Sequence, residues 1–298
     1  MLQQTQQGSP QLPVLRYTDR CMASTFELIL VNPSHGAVAS AKETAEHLEA
    51  LWSRFLPTSE VTRFNRGECT ASELSPETLL LFERITAAKA TTDGLFDAQV
   101  LTDLLRAGYG RSVETNLVAP IVPPGSIDPG GIGKGLAADL IVEKLRSDGC
   151  GGVLVNIGGD ISVSGTPPSA EGWVVAIEYP EDPERIVTNI VIDEGGLCTS
   201  STRSRRWTRG NEEPHHLIDP RTGEPSRSDV AAATVVAHNA CEAEAWAKAA
   251  LLLGSHEAMK HPILGGSPMI LVTNAGEVLS TFDLAPTLDL DLNVEVNV

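Results

Sequence analysis

The stretch IDPGGIGKGLAADLI (residues 127–141) joins clustered glycines, a lysine and the first turns of an apolar helical pattern. Two phosphate-binding readings compete for it, and each carries a fold with it. A Walker A loop needs Gly, four residues, then Gly-Lys-Ser/Thr. Here Asp128 holds the first position and Gly135 follows Lys134, so no hydroxyl is supplied for a magnesium ion. A dinucleotide fingerprint G-x-G-x-x-A fits Gly133, Gly135 and Ala138, but it must follow a buried strand. The preceding residues, APIVPPGSID (119–128), contain Pro123 and Pro124 and make a poor strand. Neither phosphate loop is therefore supported, and with them goes the doubly wound sheet.

Outward from this stretch the chain alternates helical and extended patterns. CMASTFELILV (21–31) reads as a first strand, and SHGAVASAKETAEHLEALWSRF (34–55) as a helix with Ser34 at its N-cap. SPETLLLFERITAAKATTDGLFDA (75–98) reads as a second helix, opened by Ser75 or Pro76 and closed near Gly94. After the glycine-rich stretch, LAADLIVEKLRSDGCGG (136–152) is a helix ending in glycines. GVLVNIGGDISVSG (152–165) is an apolar strand, a Gly158–Gly159 interruption and a short strand. GWVVAIEYP (172–180) and RIVTNIVIDEGGLCTSS (185–201) alternate as strands do. SDVAAATVVAHNACEAEAWAKAALLLGS (228–255) is a strand leading into a long helix, and PMILVTNAGEVLST (268–281) a hairpin. Several neighbouring strands have no helix between them, which favours an α+β fold with a mixed sheet. Residues 1–16, rich in Gln and Pro, read as a flexible arm, residues 17–285 as a single domain, and residues 286–298 as a C-terminal strand or tail.

The composition of the 298 residues, 42% hydrophobic and 20% charged, is that of a chain able to bury a substantial core. A formal charge of −17 argues against nucleic acid or an anionic membrane as partner. A phosphate-bearing ligand must then be held by local donors or a cation. The five cysteines are dispersed without C-x-x-C spacing, so reduced, buried thiols are expected rather than zinc or disulfides. The N-terminus lacks basic and apolar signal regions, and no apolar run is long enough to span a bilayer. A cytoplasmic protein without membrane insertion is the expectation.

Four segments, CMASTFELIL (21–30), RFLPTSEVTRFNRG (54–67), residues 127–165 and HHLIDPRTGEP (215–225), occur in this order together with GLFDAQV (94–100) and TVVAHNACEAEAWAKAALLLG (234–254). They resemble the ApbE-type FAD:protein FMN transferases over nearly the whole of residues 17–285. The resemblance implies a two-lobed, T-fold-related α+β architecture. It implies that FAD is the substrate and that FMN is joined through a phosphoester to a Thr or Ser of an acceptor flavoprotein, with AMP leaving. Binding of FAD without transfer, and hydrolysis of FAD to FMN and AMP, are the alternatives.

Read with this chemistry, the glycines of 127–140 let backbone N–H groups approach an anion, the helix start adds its positive end, and Lys134 adds a point charge. The family pattern places flavin or nucleotide contacts at Met22, Phe55, Leu95, Phe96, Asp97, Lys134, Asp160, Ser200, His216 and Leu217. Phe55 stands where relatives usually carry tyrosine, which keeps a stacking face without the hydroxyl. His216 is the catalytic candidate, since an imidazole titrating near neutrality suits abstraction of a hydroxyl proton. Asn156 reads either as a ligand contact or as a turn-stabilising side chain, and the Asp219–Arg221 pair as chiefly structural. Arg203, Arg205, Arg206 and Trp207 read either as a grip on a phosphate or acidic loop or as a solvated basic strand.

Magnesium in this family is held at positions that correspond to Ala137 (through its carbonyl), Glu244 and Lys248. Most relatives carry Asp and Thr at the last two, and Ser201 replaces a family glycine. Glutamate ligates a hard cation, but an ammonium has no lone pair to offer. Magnesium is thus doubtful, and Glu244 and Lys248 are expected to form an i,i+4 pair whose ammonium stands in the metal position.

Overall fold

The computed structural model describes residues 12–111, 117–119, 122–208 and 213–284. Strands β1 (Val14–Cys21) and β2 (Ser24–Val31) form an N-terminal hairpin. Helices α1 (Ala37–Trp52), α2 (Glu60–Asn65), α3 (Pro76–Thr91), α4 (Leu101–Ala107) and α5 (Gly133–Ser147) follow. The chain then returns to β3 (Gly152–Ile157), β4 (Asp160–Gly165), β5 (Trp173–Tyr179), β6 (Asp182–Ile192) and β7 (Gly195–Ser201). The last part comprises β8 (Ile218–Asp219), β9 (Glu224–Pro225), β10 (Val230–Ala237), α6 (Ala240–Leu253), α7 (Ser255–Lys260), β11 (Met269–Thr273) and β12 (Val278–Ser280).

Eight strands share one sheet in the order β1-β2-β3-β4-β7-β10-β11-β12. The α+β class is as expected, but every pairing in this sheet is antiparallel, where a mixed sheet was anticipated. Its central strands are buried on both faces, so they read as apolar runs more than as alternation. On one face Phe26, Leu28, Leu30, Val153, Val155 and Ile157 pack with α1, α3 and α5. A second core on that face joins Val235, Leu271 and Cys198 to α6. These two helical cores form the two lobes. The other face, with Leu154, Ile161, Val163 and Leu197, is covered by the β5–β6 hairpin through Trp173, Val175, Ile177, Ile190 and Ile192.

Two turns set the front edge of the sheet. The β3–β4 turn uses Gly158 and Gly159 at φ +62° and +94°, the positive values a two-residue hairpin requires. Asn156 Oδ1 accepts the Gly159 N–H at 2.8 Å and its Nδ2 donates to Glu27 at 2.8 Å, so this asparagine stabilises the turn. The β1–β2 turn has the same shape with no glycine: Met22 and Ala23 sit at φ +47° and +55°. That conformation costs an L-residue about 1–2 kcal/mol, and the absence of Gly or Asn explains why residues 21–31 read as one strand. The hairpin begins at Val14, inside the segment read as an arm; residues 1–11 and the alternating C-terminal residues 289–298 lie outside the described residues. Helix α1 also starts later than expected. Its N-cap is Gly36 at φ +77°, and Ser34 contributes only a carbonyl to the Ala37 N–H. Helix α3 is capped as read at its start, where Ser75 Oγ accepts the Thr78 N–H at 3.2 Å with Pro76 in the first turn; it ends at Thr91, with Asp93 at φ +51° and the Gly94 N–H bonded back to Lys89 O at 2.8 Å.

Helices α5 and α6 cross where a side chain is excluded, since a Cβ on Gly135 would stand 2.5 Å from the Ala240 carbonyl oxygen. Beside this crossing, Asp139 of α5 accepts the Ala240 and Cys241 N–H groups, each at 2.9 Å, capping α6 from another helix. Asp139→Ala is expected to lower stability by about 1–2 kcal/mol, measured as a shift in urea midpoint without a change in slope. Among the described residues no helix is long and apolar enough to cross a membrane.

Candidate functional site

The front edge of the helical face carries a cleft of about 1280 Å³ out to its mouth. Its walls are the β1–β2 turn, the end of α1, residues 95–98, the glycine-rich turn, residues 216–220 and Lys248 of α6. Met22, Phe55, Leu95, Phe96 and Asp97 line it, as do Lys134, His216, Leu217 and Lys248. The sequence-predicted residues Ala137, Asp160, Ser200 and Glu244 do not.

The glycine-rich turn is anchored before it reaches the cleft. The Asn65 side chain brackets Ile127, donating to its carbonyl and accepting its N–H, both at 2.8 Å. The Asp128 N–H bonds to Ala98 O at 2.7 Å, and Asp128 Oδ1 accepts the Gly130 N–H at 3.0 Å. Gly131 is closely approached: a Cβ there would lie 3.1 Å from Phe96 and 3.3 Å from Lys248 Cε, so these side chains would have to give by a few tenths of an ångström. Helix α5 starts at Gly133 with Lys134 in its first turn. The residues from 130 to 134 thus present backbone and one ammonium to the cleft, as an anion-binding helix start does.

Below Lys134 lies a buried ion cluster. Lys134 Nζ contacts Asp160 Oδ2 and stands 3.3 Å from Glu244 Oε1, while Lys248 Nζ donates to the same Oε1 at 3.1 Å. The other Glu244 oxygen accepts the Gly135 N–H at 2.9 Å. Glu244 is fully buried, and each lysine side chain keeps 13% exposure at the cleft floor. Burial alone would raise the Glu244 carboxyl, but Lys134, Lys248 and the Gly135 N–H hold it below its ordinary value. Burial pushes the Lys134 ammonium down against the attraction of Glu244. Asp160 also accepts from the Cys198 thiol, which burial pushes up to about 12; Ser200 lies two residues further along β7, in the same layer.

A magnesium ion does not fit this arrangement. Both Glu244 oxygens are taken by donors, and among the described residues no three His, Cys, Asp or Glu side chains converge to hold a metal. Ala137 is fully buried in the core, a turn inside α5, where carbonyls serve the helix's own hydrogen bonds. Lys248 Cε packs beside Gly131 of the glycine-rich turn.

His216 departs from the expectation of a near-neutral imidazole. Burial, then the cations Arg205 and Lys248, push its pKa well below the ordinary 6.5, so the ring is neutral. Its Nδ1 is buried without a partner. Asp97 is partly committed, to Lys89 at 2.7 Å and to the Gln99 N–H at 2.9 Å. The Asp219–Arg221 pair is structural as read, with Arg221 also donating to Leu252 O at 2.9 Å. Of the basic run, Arg203 pairs with Glu181 and Arg206 with Glu213, while Arg205 lines the cleft and donates to Ser24 Oγ at 3.3 Å.

Two contributors were not singled out in the sequence, although Arg54 opens the segment 54–67. Tyr109 lines the cleft, stacks on Trp207 with centroids 5.2 Å apart and meets Phe55 edge-on at 6.4 Å. Arg54 lies between Phe55 and Tyr109, its guanidinium carbon 4.1 and 4.8 Å from their ring centroids. The cleft therefore has an aromatic wall near Phe55 and a cationic floor at Lys134 and Lys248.

Residues 22–262 match the ApbE family. The FAD:protein FMN transferase of Salmonella typhimurium is 31% identical over 200 residues, which is 67% of this chain and 54% of that protein. That of Vibrio cholerae is 24% identical over 262 residues, covering 78% of each. The chain spans about half the length of the first of these relatives. Among solved structures, the ApbE protein of Thermotoga maritima superposes with a TM-score of 0.77 at 22% identity, covering 90% of this chain and 97% of that one. The flavin transferase ApbE of Vibrio cholerae gives 0.72 at 21%, with the same coverages. At these identities the structural likeness speaks for the fold.

Proposed function

The chain belongs to the ApbE family, and on that premise we propose that it transfers the FMN half of FAD to a threonine or serine hydroxyl of an acceptor flavoprotein, releasing AMP. One observation carries the reading. A single cleft joins an aromatic wall to a glycine-rich helix start floored by two lysines, which matches a planar ring system tethered to a diphosphate.

In the reaction the acceptor oxygen bonds to the FMN phosphorus as the bond from that phosphorus to the bridging oxygen breaks. AMP leaves with the bridging oxygen, and the hydroxyl gives up its proton. Such a transfer depends on charge neutralisation and in-line placement. Lys134 and Lys248 supply two fixed cations, and the N–H groups at the start of α5 supply dipoles. His216 is the proton acceptor in this proposal and enters as neutral imidazole. A bound diphosphate brings negative charge beside Arg205, Lys248 and Lys134 and so offsets the cationic part of the His216 depression, while burial, its larger cause, stays. Met22, Phe55, Leu95 and Phe96 enclose the ring system.

No step is routed through magnesium, because the Glu244 oxygens are occupied; Lys248 takes the place of a metal as a built-in charge. The five cysteines are all free and buried, which suits a reducing compartment and a cytosolic acceptor. Incubation with FAD and a flavoprotein acceptor, followed by mass spectrometry, is expected to show a covalent FMN adduct and stoichiometric AMP. Free FMN and AMP without adduct would replace transfer by hydrolysis, and unaltered FAD would reduce the protein to a flavin binder.

A further inference from the structure

The cleft has unmet hydrogen-bonding capacity. Among the described residues the buried side-chain polar atoms without partners are Trp52 Nε1, Arg54 Nη1, Arg203 Nε and His216 Nδ1. Three of these four nitrogens belong to residues that line the cleft. Trp52 Nε1 and Arg54 Nη1 can only donate, and they sit two residues apart at the end of α1.

Arg54 is held as a rigid part. Its side chain is 5% exposed, its Nε stands 3.3 Å from Asp128 Oδ1, and its Nη2 donates to Tyr109 O at 3.3 Å. Phe55 and Tyr109 flank the guanidinium. Asp128 is also the cap of the glycine-rich turn, so Arg54 ties the aromatic wall to the anion seat. Leaving a charged donor buried and unmatched is costly, and a ligand edge that accepts hydrogen bonds relieves it.

Building on the flavin-transferase reading, we infer that Arg54, with Trp52 beside it, recognises the pyrimidinedione edge of the flavin ring and so sets which end of FAD lies on the Phe55 wall. The flavin edge offers two carbonyl oxygens and a ring nitrogen as acceptors. Adenine offers ring nitrogens together with an exocyclic amino group, which would need an acceptor that Trp52 and Arg54 lack. Arg54 is thus a specificity residue that discriminates flavin from adenine at one end of the cleft. A cation against the flavin edge also alters the electronics of the ring, which makes the contact visible in the absorption spectrum.

Equilibrium binding of FAD, riboflavin and ADP to the wild type, Arg54→Lys and Arg54→Met tests the assignment. Lysine keeps a cation for Asp128 without the planar fork, and methionine removes the charge. Both variants are expected to lose about tenfold or more in affinity for FAD and riboflavin, and less than about twofold for ADP. The visible band of the FAD that remains bound shifts relative to wild type. Equal losses for ADP and riboflavin, or undiminished riboflavin binding with an unshifted spectrum, would overturn the assignment alone. A wild type that binds no flavin would instead remove the transferase reading beneath it.

Discussion

Glu244→Leu is expected to destabilise the fold by about 3–5 kcal/mol, because it leaves buried charge without its counter-charge. For a chain of this size that is a fall in melting temperature on the order of 6–15 °C, readable by calorimetry. The mechanism is specific. One oxygen of Glu244 answers both Lys134 and Lys248, and the other holds the Gly135 N–H at the crossing of α5 and α6. Removing the carboxylate sets two ammonium groups against each other at the cleft floor and frees a buried N–H. The pH dependence follows from the direction of the Glu244 shift. Its folded-state carboxyl lies below the ordinary 4.5, so its contribution is present above that value and is lost as pH falls through the folded one. The gap between wild type and Glu244→Leu should accordingly narrow on acidification. A gap that stays constant down to the acid limit would show that the loss is one of packing, not charge.

Lys248→Met should slow AMP release by about 10²–10³-fold, the scale of deleting one preorganised charge-stabilising group. Methionine follows the same path past Gly131, whose crowding against Lys248 Cε leaves room for an unbranched chain, so the measurement isolates the charge. The wild type is expected to show no saturable activation by Mg²⁺. Lys248→Thr, which leaves Glu244 Oε1 with Lys134 as its remaining partner and adds a hydroxyl, is expected to gain a magnesium dependence. Strong metal activation of the wild type would refute the idea that an ammonium stands in the metal's place.

Much of this was legible because local chemistry and tertiary role agree. Ser75-Pro76 opens α3, Gly158-Gly159 turns β3 into β4, and the Glu244–Lys248 spacing forms its ion pair. The failures have physical causes. Met22 and Ala23 adopt left-handed backbone without a turn residue, so the first hairpin reads as a single strand. The sheet direction was missed because pairing partners are set by long-range packing, which periodicity does not record. Ala137 lies a turn inside α5 in the core and Gly131 packs beside Lys248 Cε, neither of which the spacing of small residues records. Arg54 opens the segment 54–67 without being singled out by it, and Tyr109 belongs to no motif. Their roles arise because the segment after α4 meets Arg54, which in turn pairs with Asp128.

The pairing of β2 with β3 bears on how the molecule is made. Phe26 registers against Ile157, with all of α1 to α5 between them in the chain. During synthesis the β1–β2 hairpin must wait, with one edge unpaired, until more than a hundred further residues have left the ribosome. An isolated two-stranded hairpin is marginal in water, and contacts so distant in sequence form slowly. The N-terminal strands are therefore the segment most open to misassembly in the nascent chain, and the late arrival of β3 is the event that protects them.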